Sequence, residues 1–196
     1  MPQQRFSGNP ARLRSPERLA SLPLSQVIQR CLDDLPPHPV VLDIGTGSGL
    51  FAEAFWKRGA EVYGIDVDSA MVALATELVP AGRFRQGPAE QLPLGDGSAD
   101  LAFFGLSLHE TDPQRALAEA ARVSRHLVAV LEWSPERSGF GPPEEERMRP
   151  EQIEQLFSAT GLGALRRFDL GAHQLYLSAD LAGREATSAT NPTSAL

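Results

Sequence analysis

The eleven residues VVLDIGTGSGL, at positions 40–50, constrain the fold of this 196-residue chain more than any other stretch. Val40–Ile44 form an apolar run of strand length, and Gly45, Gly47 and Gly49 break it at alternate positions before a helical pattern begins. Glycines between a strand and a helix let the backbone come close to a ligand. The same alternation recurs along the rest of the chain. VYGID (62–66), RFRQ (83–86), LAFFG (101–105) and HLVAVLEW (126–133) read as strands. FAEAFWKRG (51–59, closed by Gly59) and SAMVALATEL (69–78, capped by Ser69) read as helices, as does a segment opened by Asp112-Pro113 and running to Val123. Phe51, Phe55 and Trp56 share a helical spacing expected of core residues.

Strands separated by helices of about ten residues make βαβ units, hence a parallel sheet covered on both faces. After a helix near 150–160 that ends at Gly161, two last strands (about 164–169 and 173–178) are joined at Gly171. No crossover helix fits between them, so they must run antiparallel. The expected fold is α/β: a Rossmann-like, doubly wound, mostly parallel seven-stranded sheet with an antiparallel last strand. Ligands on such sheets bind at the carboxyl ends of the strands. That places a site at Gly45–Gly49, Asp66, Gly87–Glu90, Gly105–His109 and Glu132.

Flanking this unit, residues 1–35 read as an N-terminal helical lid segment, with Ser15-Pro16 starting one helix and a second running from about Ser25 to Leu35. Residues 36–178 form the ligand-binding domain, and 179–196, rich in Ala, Ser and Thr, read as a disordered tail. Arg5, Arg12, Arg14 and Arg18 are expected to lie on a solvated segment, with an anion-binding lid as the alternative. The net charge of −7 and the lack of a basic stripe argue against a nucleic-acid partner. No apolar run is long enough for a membrane span and MPQQRFSGNPARLR lacks an apolar secretory h-region, so a cytoplasmic protein, monomer or homodimer, is expected. The lone Cys31 allows no internal disulfide and reads as buried; no metal site is expected.

Three ligands use such glycine turns. A nucleoside triphosphate loop ends in Lys followed by Ser or Thr, which is missing here. A dinucleotide loop is G-x-G-x-x-G, but here the spacing is G-x-G-x-G and Leu50 stands at the last dinucleotide position. With Asp43 ahead of it the pattern becomes D-x-G-x-G-x-G. Asp66, ending the next strand, is suited to accept both ribose hydroxyls of an adenosine.

At these residues the chain resembles the class I S-adenosylmethionine-dependent methyltransferases, in their UbiE-like, type 11 branch. VVLDIGTGSG resembles the first motif, VYGIDVDSAMV the second, and GPAEQLPLGDGSADLAFFGLSLHE the segment that contacts adenine and forms the fourth strand. RLRSPERLASLP and LEWSPERSGFGPPEEERM extend the likeness over about residues 12–178. The resemblance implies the class I methyltransferase fold and S-adenosylmethionine as cofactor, with S-adenosylhomocysteine as product. It implies that Asp43 and the backbone of Gly45, Thr46 and Gly47 hold the methionine end, with Gly49 also among the cofactor-binding residues. Asp66 would take the ribose, Val67 and Met71 the adenine face, Ala89 the adenine edge through its backbone, and Gly105 with Leu106 the sulfonium side. Pro88 stands where relatives often carry an Asp for the adenine amino group, so that contact is lost or replaced, with Glu90 the candidate. The usual Pro-Gly-Gly turn before the fifth strand is missing from ARVSRHLVAVLEW (121–133).

Methyl transfer needs a positioned nucleophile, and a general base only if the acceptor must lose a proton. His109 is the best-placed candidate, with Glu110, Glu132 and His173 behind it. GFGPPEEER (139–147) reads either as a substrate lid, with Gly139 and Gly141 permitting sharp turns and Arg147 holding an anionic group, or as a plain connector, and Trp133 and Phe140 either floor an acceptor pocket or fill the core. A small-molecule methyl acceptor with methylation at carbon, oxygen or nitrogen is the first reading. A non-catalytic S-adenosylmethionine-binding sensor or partner protein of the same fold is the other.

Overall fold

A computed structural model describes residues 10–136 and 141–182. Expectations resting on residues 1–9, 137–140 and 183–196, including Arg5, Gly139, Phe140 and most of the proposed tail, lie outside them.

The strands are β1 (Val40–Ile44), β2 (Glu61–Asp66), β3 (Arg83–Gln86), β4 (Ala99–Gly105), β5 (Ser124–Trp133), β6 (Arg166–Asp169) and β7 (His173–Leu177). The helices are α1 (Pro16–Ser21), α2 (Leu24–Leu32), α3 (Leu50–Trp56), α4 (Ser69–Leu78), α5 (Pro113–Val123) and α6 (Pro150–Ala159). They build one seven-stranded sheet in the order β3-β2-β1-β4-β5-β7-β6. All pairs are parallel except β5 with β7 and β6 with β7. The strand order reverses between β1 and β4, and the crevice at their carboxyl ends is where such a sheet takes a ligand.

Period-2 alternation along the strands divides the core. Val41, Phe103, Ala129 and Leu131 face one side with Val27, Ile28 and Cys31 of α2 and Phe51 and Phe55 of α3. Leu42, Ile44, Ala102, Phe104, Val128 and Val130 face the other with Ala116, Leu117 and Ala120 of α5 and Ile153 and Phe157 of α6. Each large apolar side chain so buried contributes about 1.5–3 kcal/mol from the loss of water contact.

Several local expectations shift. Helix α4 is capped by Asp68, whose side chain accepts from Ala70 N, and not by Ser69, which is its first helical residue. Helix α2 stops at Leu32, short of Leu35. Trp56 is 46% exposed and does not join Phe51 and Phe55, because it lies on the outer face of the last turn of α3. The Pro-Gly-Gly turn has no substitute at all: Val123 ends α5 and Ser124 begins β5. Leu181 is buried and its amide donates to His126 O at 2.8 Å, so the chain stays packed beyond residue 179. Among the described residues no helix is long and apolar enough to cross a membrane.

Candidate functional site

The glycine loop is pinned from below. Gly45 N and Thr46 N both donate to Ile65 O of β2, at 2.8 and 3.0 Å. Beneath them Asp43, 1% exposed, accepts from Thr46 Oγ1 (2.7 Å) and Ala52 N (3.2 Å) through its Oδ2. Burial pushes its carboxyl up to about 7, against the pull of those two donors, and the charge of Asp66 adds to the rise. Above the loop, Asp66 Oδ2 accepts from Gly47 N at 2.8 Å and Oδ1 from Asp68 N at 2.9 Å. Its carboxyl is also raised by burial, with these amides acting in the opposite direction.

The three glycines do different work. A Cβ on Gly45 would collide with Ser107, and one on Gly47 would meet Leu13 at 3.2 Å. A Cβ on Gly49 would sit 3.1–3.2 Å from Val79 and Ala75, so this glycine serves the packing of α3 against α4. All three have positive φ, which favours glycine. Asp43 and Gly49 support the loop from behind and do not line the cavity it borders, contrary to the expectation that they face the ligand.

That cavity encloses about 740 Å³, within the roughly 300–1,000 Å³ usual for small-molecule sites. It brings together Gly45, Thr46, Gly47, Asp66, Val67 and Met71. Pro88, Ala89, Glu90, Gly105, Leu106 and His109 line it as well. Glu90 Oε1 accepts from Asp112 N at 2.8 Å, which ties the Gly87–Glu90 segment to the start of α5. Leu106 holds φ 63°, an uncommon conformation for a branched residue, with its amide donating to Leu131 O at 2.9 Å.

The same cavity is lined by His109, Glu110, Trp133 and the N-terminal residues Arg12, Ser15 and Arg18. His109 N and Nδ1 both approach Glu132, at 3.1 Å and 2.9–3.0 Å. Glu132 is 1% exposed and sits on β5 behind the ring. Burial lowers the affinity of His109 for a proton, but Glu132, Glu110 and Glu146 outweigh it, and the imidazole ends above its usual range. His173 is buried against Trp133, ring centroids 4.7 Å apart. Burial, with the nearby Arg18 charge, presses its pKa down to about 4 and keeps it neutral. His173 does not line the cavity, so the structure sets it apart from His109.

Two expectations about arginines change. Arg147 is buried and donates to Pro142 O (3.0 Å) and Ser134 O (2.9 Å), bracing the loop without lining the cavity. Arg14 reaches back over the glycine loop, donating to Ser48 O at 2.9 Å and pairing with Glu53 at 2.5 Å. It is therefore no solvated side chain, although the exposed Arg12 is nearer that description. Ser107 falls within the Gly105–His109 stretch and Arg14 within the arginine cluster that the sequence marked, without the roles they take here, whereas nothing local marks Leu13, which lines the cavity.

Residues 42–128 match the family model described as a methyltransferase domain. An uncharacterized methyltransferase of Mycobacterium sp. (strain JLS) is 33% identical over 115 residues, which is 58% of this chain and 46% of that protein. The malonyl-[acyl-carrier protein] O-methyltransferase of Pectobacterium atrosepticum is 35% identical over 100 residues, covering 50% of this chain and 40% of that one. The chain thus spans about half the length of the curated relatives it matches. A SAM-dependent methyltransferase from Aquifex aeolicus has the same fold, with a TM-score of 0.74 and 24% identity over 89% of this chain and 99% of that one.

Proposed function

We propose that the chain is a class I, S-adenosylmethionine-dependent methyltransferase of the type 11 family and that it methylates a small-molecule acceptor at oxygen, nitrogen or carbon. One observation carries the reading. The cavity of about 740 Å³ that the glycine loop and Asp66 border is lined also by His109, Trp133 and Arg18, residues that the cofactor reading does not use.

The residues present fit the cofactor. Asp66, held at the cavity edge by two amides, keeps acceptor capacity for a pair of ribose hydroxyls. Val67, Met71, Pro88 and Ala89 give the cavity apolar lining suited to a flat base. Gly45 and Gly47 present bare backbone to the cavity, which suits the amino-acid end. When bound, S-adenosylmethionine supplies a methyl group on a sulfonium, whose charge already activates the leaving group. The protein's task is then to hold the acceptor in line and keep water out, effects worth roughly 7–11 kcal/mol at best. Phe51, Leu106 and Trp133 line the cavity with apolar surface for that purpose.

Titration calorimetry with S-adenosylhomocysteine tests the cofactor half. Incubation of cell extract with methyl-deuterated cofactor, followed by mass spectrometry, tests the transfer. Binding with no labelled product across broad extracts would leave a non-catalytic cofactor-binding protein, and no binding at all would end the reading.

A further inference from the structure

His109 and Glu132 stand 23 positions apart in the chain, and the sheet brings them into contact. Glu132, at the carboxyl end of β5, accepts from both the backbone amide and the Nδ1 of His109. Two contacts to one buried carboxylate fix the ring's place and its tautomer. With the Nδ1 proton committed to Glu132, the lone pair of the neutral ring sits on Nε2. The His109 side chain is 11% exposed and lines the cavity, and Glu110 Oε1 lies 3.8 Å from Nε2, beyond hydrogen-bond length. A basic nitrogen, oriented by a second residue, therefore belongs to a residue that lines the cavity bordered by the glycine loop.

We propose that His109 Nε2 is the general base of the transfer, with Glu132 its positioning residue, and that the acceptor is a protic nucleophile such as a hydroxyl, phenol or amine. The inference rests on the proposed methyltransferase activity. The acceptor's X–H proton passes to Nε2. Its electron pair forms the X–CH3 bond as the carbon–sulfur bond breaks, that bond's electrons staying on sulfur as the neutral thioether. The imidazolium left behind is stabilised by Glu132, and by the charges of Glu110 on its own turn and Glu146 on the turn Glu144–Glu146. An acceptor that is already an anion, such as a carboxylate, would need no such base. It would also meet three carboxylates in this corner.

The geometry has a readout that needs no acceptor. In the full chain labelled with nitrogen-15 histidine and saturated with S-adenosylhomocysteine, the neutral His109 ring is expected to carry its proton on Nδ1. Its midpoint is expected above 6.5 in a titration between about pH 5 and 9. Glu132→Gln should lower that midpoint. In extracts with methyl-deuterated cofactor, His109→Gln should reduce labelled product on the order of a hundredfold, with product formation in the wild type rising with pH through the His109 midpoint. A proton on Nε2 in the neutral wild-type ring would overturn the proposal, and that measurement needs no variant to fold. So would label found on carboxylate oxygens, or unchanged labelling by His109→Gln. Failure of S-adenosylhomocysteine to bind would instead remove the methyltransferase reading, which keeps the two outcomes separate.

Discussion

Ser107 occupies the space that a side chain at residue 45 would need: a Cβ on Gly45 would fall 2.5 Å from Ser107 Cβ and 2.8 Å from its Oγ. Ser107 is held there because its hydroxyl donates to Ile44 O at 2.7 Å, joining the ends of β1 and β4 across the crevice. Gly45→Ala should therefore displace Ser107 and add about 1–2 kcal/mol of left-handed strain. The expected result is a folded protein with at least about tenfold weaker S-adenosylhomocysteine binding. Adding Ser107→Gly should recover part of the loss, since it removes the collision but not the strain. Calorimetry on the single and double variants checks both statements, and equal affinities would mean that the contact does not shape the loop.

Asp66 holds the loop and faces the cavity at the same time. Asp66→Ala takes away the partner of Gly47 N together with the proposed ribose acceptor. A loss of about 1–3 kcal/mol in S-adenosylhomocysteine affinity is expected from hydrogen bonds to a charged group. Unchanged affinity in a calorimetric titration would take Asp66 out of the ribose role.

Asp43 makes the stability of the protein pH-dependent. Its folded carboxyl is raised to about 7, while an unfolded Asp titrates near 3.9, so the folded chain binds the proton more tightly. The stabilisation is fully present below about pH 4 and is lost as pH rises through about 7. Asp43→Asn keeps an oxygen for Thr46 and Ala52 but cannot ionise. Urea unfolding without cofactor should show the wild type losing up to a few kcal/mol relative to Asp43→Asn between about pH 4 and 8. Parallel stability curves for the two proteins would contradict this.

Arg14 straps the N-terminal segment across the glycine loop through Ser48 and Glu53. Arg14→Ala should loosen that segment at a cost of about 1–2 kcal/mol, seen as faster amide exchange in residues 12–21 and severalfold weaker S-adenosylhomocysteine binding. Unaltered exchange there would show that Leu13 and its neighbours hold the segment without Arg14.

What the sequence determined by itself is local in origin. Val40–Ile44, Ser69–Leu78 and Pro113–Val123 are readable as elements because periodicity, proline and capping residues act within a few positions of the backbone they shape. The spacing of Gly45, Gly47 and Gly49, with Asp66 after the next strand, likewise excludes the dinucleotide and triphosphate loops without any fold. Tertiary structure decided what depends on distant strands lying side by side. Only the pairing of β4 with β5 sets His109 upon Glu132. The meeting of the β1 and β4 ends puts Ser107 against Gly45. Packing of α3 on α4 gives Gly49 a structural duty, and Asp43 goes beneath the loop because its side chain points into the sheet's interior. Apart from those of Asp43, these contacts join residues brought together by a crossover, and a one-dimensional pattern carries no register between strands that its own helices separate.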